Sequence, residues 1–390
     1  MSDTLKCPNC GLVNMRNCCK KCGHRWVTKY PVSKLARISK YRVFISYSHA
    51  DRRMVEKIAD ILKENGLQPM WDENFAYGQG FHEQIKKYIA HAHVFLPVLT
   101  KTADARKWVH QEIGYAMALN IPVLPIAVGK LPGEMIQQIH ALRIKESEIK
   151  VLRKLLSKDA IEVLIARHAS SSEALYICAD LQEDRARMMA AYANDVYELG
   201  VRDVVRQKGA LSSFHLPTET SGHQIWRRRC GTEERSEYVF RLQRKERLAL
   251  QRHAEVAGCK LIINPYIEFK QYGADARLCR LECLLQFLNE IGDDHCRVAI
   301  SNGINDRASI TILGNWFTAE SQAGSGGKGY QQTIFTRHAP TIMEKIDAFD
   351  AELNEILSSA KVKPIDSRIW AIRVISEIVK DVANKVIALK

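Results

Sequence analysis

Glu112 lies in the stretch "KWVHQEIGYA" (107–116), one turn after Trp108 and one turn before Tyr115 and Ala116. On a helix such positions share a stripe. A ring, a carboxylate and a second ring therefore face the same way, an uncommon setting for a solvated acid. A carboxylate held beside a flat ligand would explain the pattern. An ordinary amphipathic helix with one chance acid is the alternative.

A second constellation is "CPNCGLVNMRNCCKKCGHRW", which contains Cys7-x-x-Cys10 and Cys19-x-x-Cys22, each pair followed by a glycine. A CxxC turn aims two thiolates at one point, and two such turns supply the tetrahedral sulfur set of a structural zinc. Cys18 is an alternative to Cys19, but only Cys19 has the x-x spacing to Cys22. A segment this small has no core of its own, so the metal would hold it together. A closed four-sulfur site leaves no open position and implies no catalysis. Lys20, Lys21, Arg25, Lys29, Lys34 and Arg37 make this arm basic, which fits nucleic-acid contact and a solvated linker equally well.

The elements that must carry these residues belong to a chain of 390 residues, 46% hydrophobic and 26% charged, enough for two or three domains. Lys+Arg number 57 against 44 Asp+Glu, a net +13, which favours anionic partners without choosing among them. No stretch approaches the roughly 20 apolar residues of a membrane span, and residues 1–30 lack the apolar centre of a signal peptide. Five of the eleven cysteines fall between Cys7 and Cys22 and the rest are scattered, as expected of a reducing compartment with one metal site. A cytoplasmic protein without membrane contact is expected.

From about residue 40 to 140, apolar strands alternate with helices. "YRVFISYS" predicts a buried strand over Arg42–Tyr47, and Ser48-x-x-Asp51 has the form of a capping box. Val55, Ile58, Ala59 and Leu62 line a helix that Gly66 stops. "LQPMWD", "HVFLPVLT" and "IPVLPIAV" supply three more strands, with helices over His82–His91 and Trp108–Leu119 between them. The alternation implies a doubly wound parallel sheet. Ligands of such sheets settle beyond the carboxyl ends of the strands, here Ser46–Asp51, the Asp72–Phe81 loop and the Thr100–Lys107 connection.

At these residues the sequence resembles the Toll/interleukin-1 receptor (TIR) domain. "RVFISYSHAD" is similar to its opening box, and "WDENFAYGQGFHEQIKKYIAHAHVFLPVLT" to its second strand, BB loop, helix and following strand. "KWVHQEIGYAMALNIPVLPIAV" is similar to the segment bearing the catalytic glutamate of NAD-cleaving members, with Val109 where many members have cysteine. The resemblance implies a flavodoxin-like parallel sheet that self-associates and cleaves NAD+ between nicotinamide and ribose. Glu112 would steady the developing oxocarbenium. Trp108 or Tyr115 would pack on the ligand or support the helix. Trp71, Asp72, Phe75 and Tyr77 would face it from the opposite loop. Ser46, Ser48 and Asp51 would serve the diphosphate and ribose end, with helix capping as the alternative for Ser48 and Asp51. A non-enzymatic TIR adaptor recruiting protein or nucleic-acid partners is the competing reading.

The expected order is a four-cysteine zinc ribbon at 1–30, a basic linker at 31–40, the TIR domain at 41–142 and a helical connector at 143–172. A second α/β domain at 173–360, read as a sensor, and an amphipathic helix at 366–390 follow. In the second domain, "ALYICAD", "KLIINPYI", "CRVAIS", "ASITILGNWF" and "QQTIFTRHAP" predict strands, and Arg235–Ala257 a helix with Arg241, Arg244, Lys245 and Arg252 on its polar side. With "WRRRC" before it, this helix is a candidate surface for a nucleotide or nucleic acid, with a solvated face as the alternative. "QAGSGGKGY" lacks Walker spacing and is expected to be a loop between paired strands. Ile372, Ile375, Val379, Val382 and Val386 form one apolar stripe, expected to pack on its own domain.

Overall fold

The computed structural model describes residues 5–6, 13–14, 41–71, 81–100, 107–129, 141–169, 176–218, 233–268, 273–304, 307–323 and 330–388. Cys7, Cys10, Cys19 and Cys22 lie outside these residues, as do Asp72, Phe75, Tyr77 and the "WRRRC" run. Leu5–Lys6 pairs antiparallel with Val13–Asn14 on either side of the first CxxC.

The first sheet comprises β1 (Arg42–Ser46), β2 (Gln68–Met70), β3 (Val94–Leu99), β4 (Ile126–Val128) and β5 (Leu142–Ile144). Every pair is parallel, in the spatial order β2-β1-β3-β4-β5, a flavodoxin-like arrangement. All five residues of β1 and all six of β3 are buried, which explains their unbroken apolar runs. The edge strand β2 accommodates Pro69, which has no amide to donate. β5 was not expected from the sequence, which reads this region as helical: three residues, one of them Arg143, are too short to show a period.

Helix α1 (Arg52–Glu64) covers one face, burying Met54, Val55, Ile58, Ala59, Ile61 and Leu62. Gly66 at φ +74° stops it, with Leu67 N–H on Leu62 C=O and Gly66 N–H on Lys63 C=O, the paired bonds of a Schellman turn. Helices α2 (Phe81–Ala90) and α3 (Lys107–Ala118) cover the other face. Asn120, at φ 54°, ends α3 with the same pair of bonds, from Ile121 to Ala116 and from Asn120 to Met117.

After α4 (Lys158–Ala169) the chain builds a seven-stranded mixed sheet. Its strands are β6 (Tyr176–Ala179), β7 (Val205–Gly209), β8 (Cys259–Ile263), β9 (Cys296–Ile300), β10 (Ala308–Leu313), β11 (Phe317–Ala323) and β12 (Tyr330–Thr336). The order is β9-β8-β7-β10-β11-β12-β6, parallel across β9, β8 and β7 and antiparallel elsewhere. The helices are α5 (Gln182–Glu198), α6 (Glu233–Ala257), α7 (Gly273–Glu290), α8 (Ala339–Ser359) and α9 (Ser367–Ala388).

"ASITILGNWF" is therefore two strands rather than one. Gly314 turns the chain at φ +45°, and a Cβ there would lie 2.0 Å from Asp203 Oδ2. Gly314→Ala is expected to lower stability by about 2–4 kcal/mol through strain and this clash, measured by denaturant unfolding. The Gly-rich segment after β11 does join antiparallel partners, β11 and β12. The stripe on α9 packs inward: Ile375 and Val382 are buried in the main apolar cluster, and Ile372, Val379 and Val386 pack against it.

That cluster is continuous between the two sheets, running from Phe44, Ile85 and Ile113 to Met189, Phe317 and Phe335. Arg42, 1% exposed, crosses the junction. Its guanidinium donates to the carbonyls of His91 (2.7 Å) and Asn315 (3.1 Å) and to Asn315 Oδ1, and stacks on Trp316 at 3.6 Å. Arg337 donates to the Ala90 carbonyl at 2.6 Å. No helix among the described residues is long and apolar enough to cross a membrane.

Candidate functional site

Along β1, Phe44 and Ser46 point to the α2–α3 side, while Val43 and Ile45 join the cluster under α1, as strand alternation requires. Ser46 is the last residue of β1, so its hydroxyl sits at the carboxyl edge beneath α3. It donates to Glu112 Oε2 at 2.6 Å. Val109, Ile113 and Ala116 anchor α3 on the sheet, and Glu112 is carried on the same inward side at 7% exposure. Burial pushes its carboxyl from 4.5 up to about 7, although the Ser46 hydroxyl pulls the other way. Burial wins because one hydroxyl replaces only part of the lost hydration.

Such an acid is poised at neutral pH between two roles. Protonated, it is a donor. Ionised, it is a concentrated negative charge in a weakly screening environment, suited to a cation forming next to it.

Other predicted residues assemble around this pair in part. Ser48 is buried and its carbonyl accepts from Asp51 N–H at 2.7 Å, opening a single 3-10 turn over His49–Asp51. The capping box does not form: neither Ser48 nor Asp51 makes a side-chain cap bond. Asp51 Oδ2 instead accepts from Thr100 Oγ1, 2.7 Å away at the end of β3. The carboxylate thus ties together the carboxyl ends of two neighbouring strands.

Trp108 is half-buried and stacks on His49, with centroids 6.4 Å apart and planes 29° from parallel, while Tyr47 meets His49 edge-on at 6.0 Å. Trp108 and Tyr115, the two rings flanking Glu112, both pack against the main apolar cluster. Trp71 is placed apart from Glu112: it is 5% exposed in the cluster under α1 with Ile45 and Tyr47, and Lys63 Nζ lies 5.3 Å from its ring. Strand alternation explains this, since Trp71 follows Met70, which faces the α2–α3 side. Asp72, Phe75 and Tyr77 lie outside the described residues. Sequence reasoning placed His49 and Thr100 within the segments at the carboxyl ends of the strands but assigned neither a role. His49 was within the quoted "SYSHAD", but no period marks a ring on a 3-10 turn, and Thr100 reads as a strand end.

Residues 43–156 match the TIR domain family. Among solved structures, the chain is similar to the CMP N-glycosidase BcmB of Clostridium botulinum, at 18% identity and a TM-score of 0.23, covering 28% of this chain and 97% of that one. It is also similar to the TIR domains of the activated Roq1 resistosome recognising the pathogen effector XopQ, at 18% identity and a TM-score of 0.23, covering 34% and 86%. No curated protein matches the sequence.

Proposed function

We propose, with a TIR domain at residues 43–156 as the premise, that this chain cleaves NAD+ between nicotinamide and ribose, with Glu112 as the catalytic carboxylate. The observation that carries this reading is the buried Ser46–Glu112 pair at the carboxyl edge of a parallel sheet. Nicotinamide leaves as a neutral ring, so the reaction asks little of a general acid. What develops is positive charge on the ribose. NAD+ also brings a cationic pyridinium, whose approach favours the ionised form of a carboxylate that is otherwise half-protonated near neutrality. Substrate binding would thereby prepare the group that stabilises the oxocarbenium. Ser46 orients the carboxylate, Ser48 and Asp51 serve the ribose and diphosphate, and Trp108 forms a wall. Activity is switched by self-association on a cue read by the second α/β unit. The four cysteines Cys7, Cys10, Cys19 and Cys22 hold a structural zinc.

The deciding experiment is nicotinamide release from NAD+ by the purified protein, dilute and concentrated, against folded Glu112→Ala. Turnover that disappears in the variant supports the enzyme. No turnover under any clustering condition overturns it. The adaptor reading is favoured by one observation, the outward row Arg241, Arg244, Lys245 and Arg252 on α6, all exposed.

Two further outcomes are expected. Ser46→Ala removes the hydrogen bond that holds Glu112's pKa down, so the pH at half-maximal kcat/KM moves upward by about one unit. Metal analysis gives one zinc per chain, lost in Cys10→Ser together with Cys22→Ser.

A further inference from the structure

Two pairs of free cysteines lie among the described residues of the second unit. Cys259 and Cys296 face each other across β8 and β9, with Sγ atoms 3.4 Å apart and both side chains fully buried. Burial, and then the bond to Cys296, push the Cys259 thiol well above its ordinary pKa. A thiol sealed in this way is inert. Cys279 and Cys283 form the other pair, one turn apart on α7 and each partly exposed. Their surroundings are of a different kind.

Residues four apart on a helix share a face, so the sulfurs of Cys279 and Cys283 are neighbours. The Cys283 sulfur is hydrogen-bonded both to the Cys279 thiol and to the guanidinium of Arg247, which reaches it from α6. Arg247 is buried, and its head is fixed by bonds to the Leu216 carbonyl and to Gln251 Oε1. Three other charges stand close by. Glu282 lies beside both sulfurs, Arg280 beside Cys279, and Glu290 beside Arg247.

The bond from Cys279 and then the Arg247 charge hold the Cys283 thiol below its ordinary pKa, against burial and the Glu282 carboxylate. The same sulfur–sulfur bond, together with burial, raises Cys279. Arg247 decides which sulfur ionises, because a fixed guanidinium stabilises the thiolate it touches. The arrangement is a thiol, a thiolate and a cation in a row, with the thiolate open to solvent on one side. Helical geometry also limits what the pair can do. Cβ atoms four residues apart are about 5–6 Å from each other, and a disulfide needs about 3.5–4.5 Å. Cys279 and Cys283 therefore do not close a bond to each other while α7 stays helical.

We propose that Cys283 is a modification site that forms a mixed disulfide with a low-mass disulfide of the glutathione class, with Cys279 as its hydrogen-bond donor and Arg247 as its counter-ion. The Cys283 thiolate attacks one sulfur of the small disulfide. A new S–S bond to Cys283 forms, the S–S bond of the reagent breaks, and the departing thiolate takes the electron pair and a proton from water. Cys279 is too far to displace the adduct, so it persists until an external thiol removes it. The site belongs to the second unit alone and does not rest on NAD+ cleavage.

The test is peptide mapping by mass spectrometry of the folded full chain, first with iodoacetamide over a range of pH and then with oxidised glutathione. At about pH 7, Cys283 is expected to be alkylated about tenfold or more faster than Cys279, with its rate already high below the ordinary thiol range of about 8.5. Cys259 and Cys296 serve as internal controls and stay unmodified. Oxidised glutathione is expected to add one glutathionyl group at Cys283, removed by excess reduced thiol. Arg247→Gln is expected to slow alkylation of Cys283 by about tenfold, with circular dichroism showing the variant folded. Cys279→Ser, which keeps a donor, retains most of the reactivity, and Cys279→Ala does not. The pH profile of the wild type needs no variant. The proposal is overturned if Cys283 there reacts no faster than Cys279, or gains its rate only as pH passes about 8.5. It is equally overturned if oxidised glutathione leaves Cys283 unmodified.

Discussion

Glu112→Gln is expected to abolish nicotinamide release, by about 10²-fold or more, while making the protein more stable at pH 8. Both effects come from one burial. Glutamine keeps the shape and an oxygen to accept from Ser46, whose hydroxyl lies 2.6 Å from Glu112 Oε2, so the fold should survive. What disappears is the ionisable charge. The folded-state pKa of Glu112 is raised from 4.5 to about 7, so between those values the native state binds more protons than the unfolded chain. The associated stability is present in full below about pH 4.5 and is lost as pH rises through about 7, an effect of about 3 kcal/mol. Denaturant midpoints measured from pH 5 to 8 should show the wild type losing stability across this window relative to Glu112→Gln. Parallel profiles would show that the carboxyl is not buried as described. The same acid sets the rate profile: kcat/KM rises with pH through about 7, and kcat rises at a lower pH because the bound pyridinium favours ionisation. A gain in stability with loss of turnover is the usual signature of a strained functional group.

The second large effect is at the junction of the two units. Arg42→Ala is expected to lower stability by about 3–5 kcal/mol. The charge is buried and its pKa is pushed down to about 9 by that burial. It is tolerated because the planar head meets the carbonyls of His91 and Asn315 and lies flat on Trp316 at 3.6 Å. Alanine leaves those carbonyls facing a cavity. Arg42→Lys is expected to recover little, since an ammonium cannot form the fork or stack on the ring. Thermal unfolding followed by circular dichroism checks both, and a loss below about 1 kcal/mol for Arg42→Ala would remove the junction from the account.

The sequence by itself determined the parallel core of the first sheet, the inward side of α1 and the stripe holding Glu112. Each rests on a period that survives without knowledge of the partner: runs of Val, Ile, Leu and Phe in β1 and β3, and the helical spacing of Val55, Ile58, Ala59 and Leu62. It also carried the outward side of Arg241, Arg244, Lys245 and Arg252, which lie opposite the apolar side of their helix, but not the burial of Glu246 and Arg247 beside them. Short or turn-bound elements were not legible. β5 has three residues and no period, and the split of "ASITILGNWF" depends on Gly314 meeting Asp203, a residue far away along the chain. Only the tertiary structure decided what each polar side chain does. It put Trp71 under α1, tied Asp51 to Thr100 rather than to a cap, stacked Trp108 on His49, and set Cys283 against Arg247. The physical reason is general. Apolar burial is collective and shows as a pattern, whereas a hydrogen bond or a shifted pKa depends on one particular neighbour brought within about 3 Å by the fold.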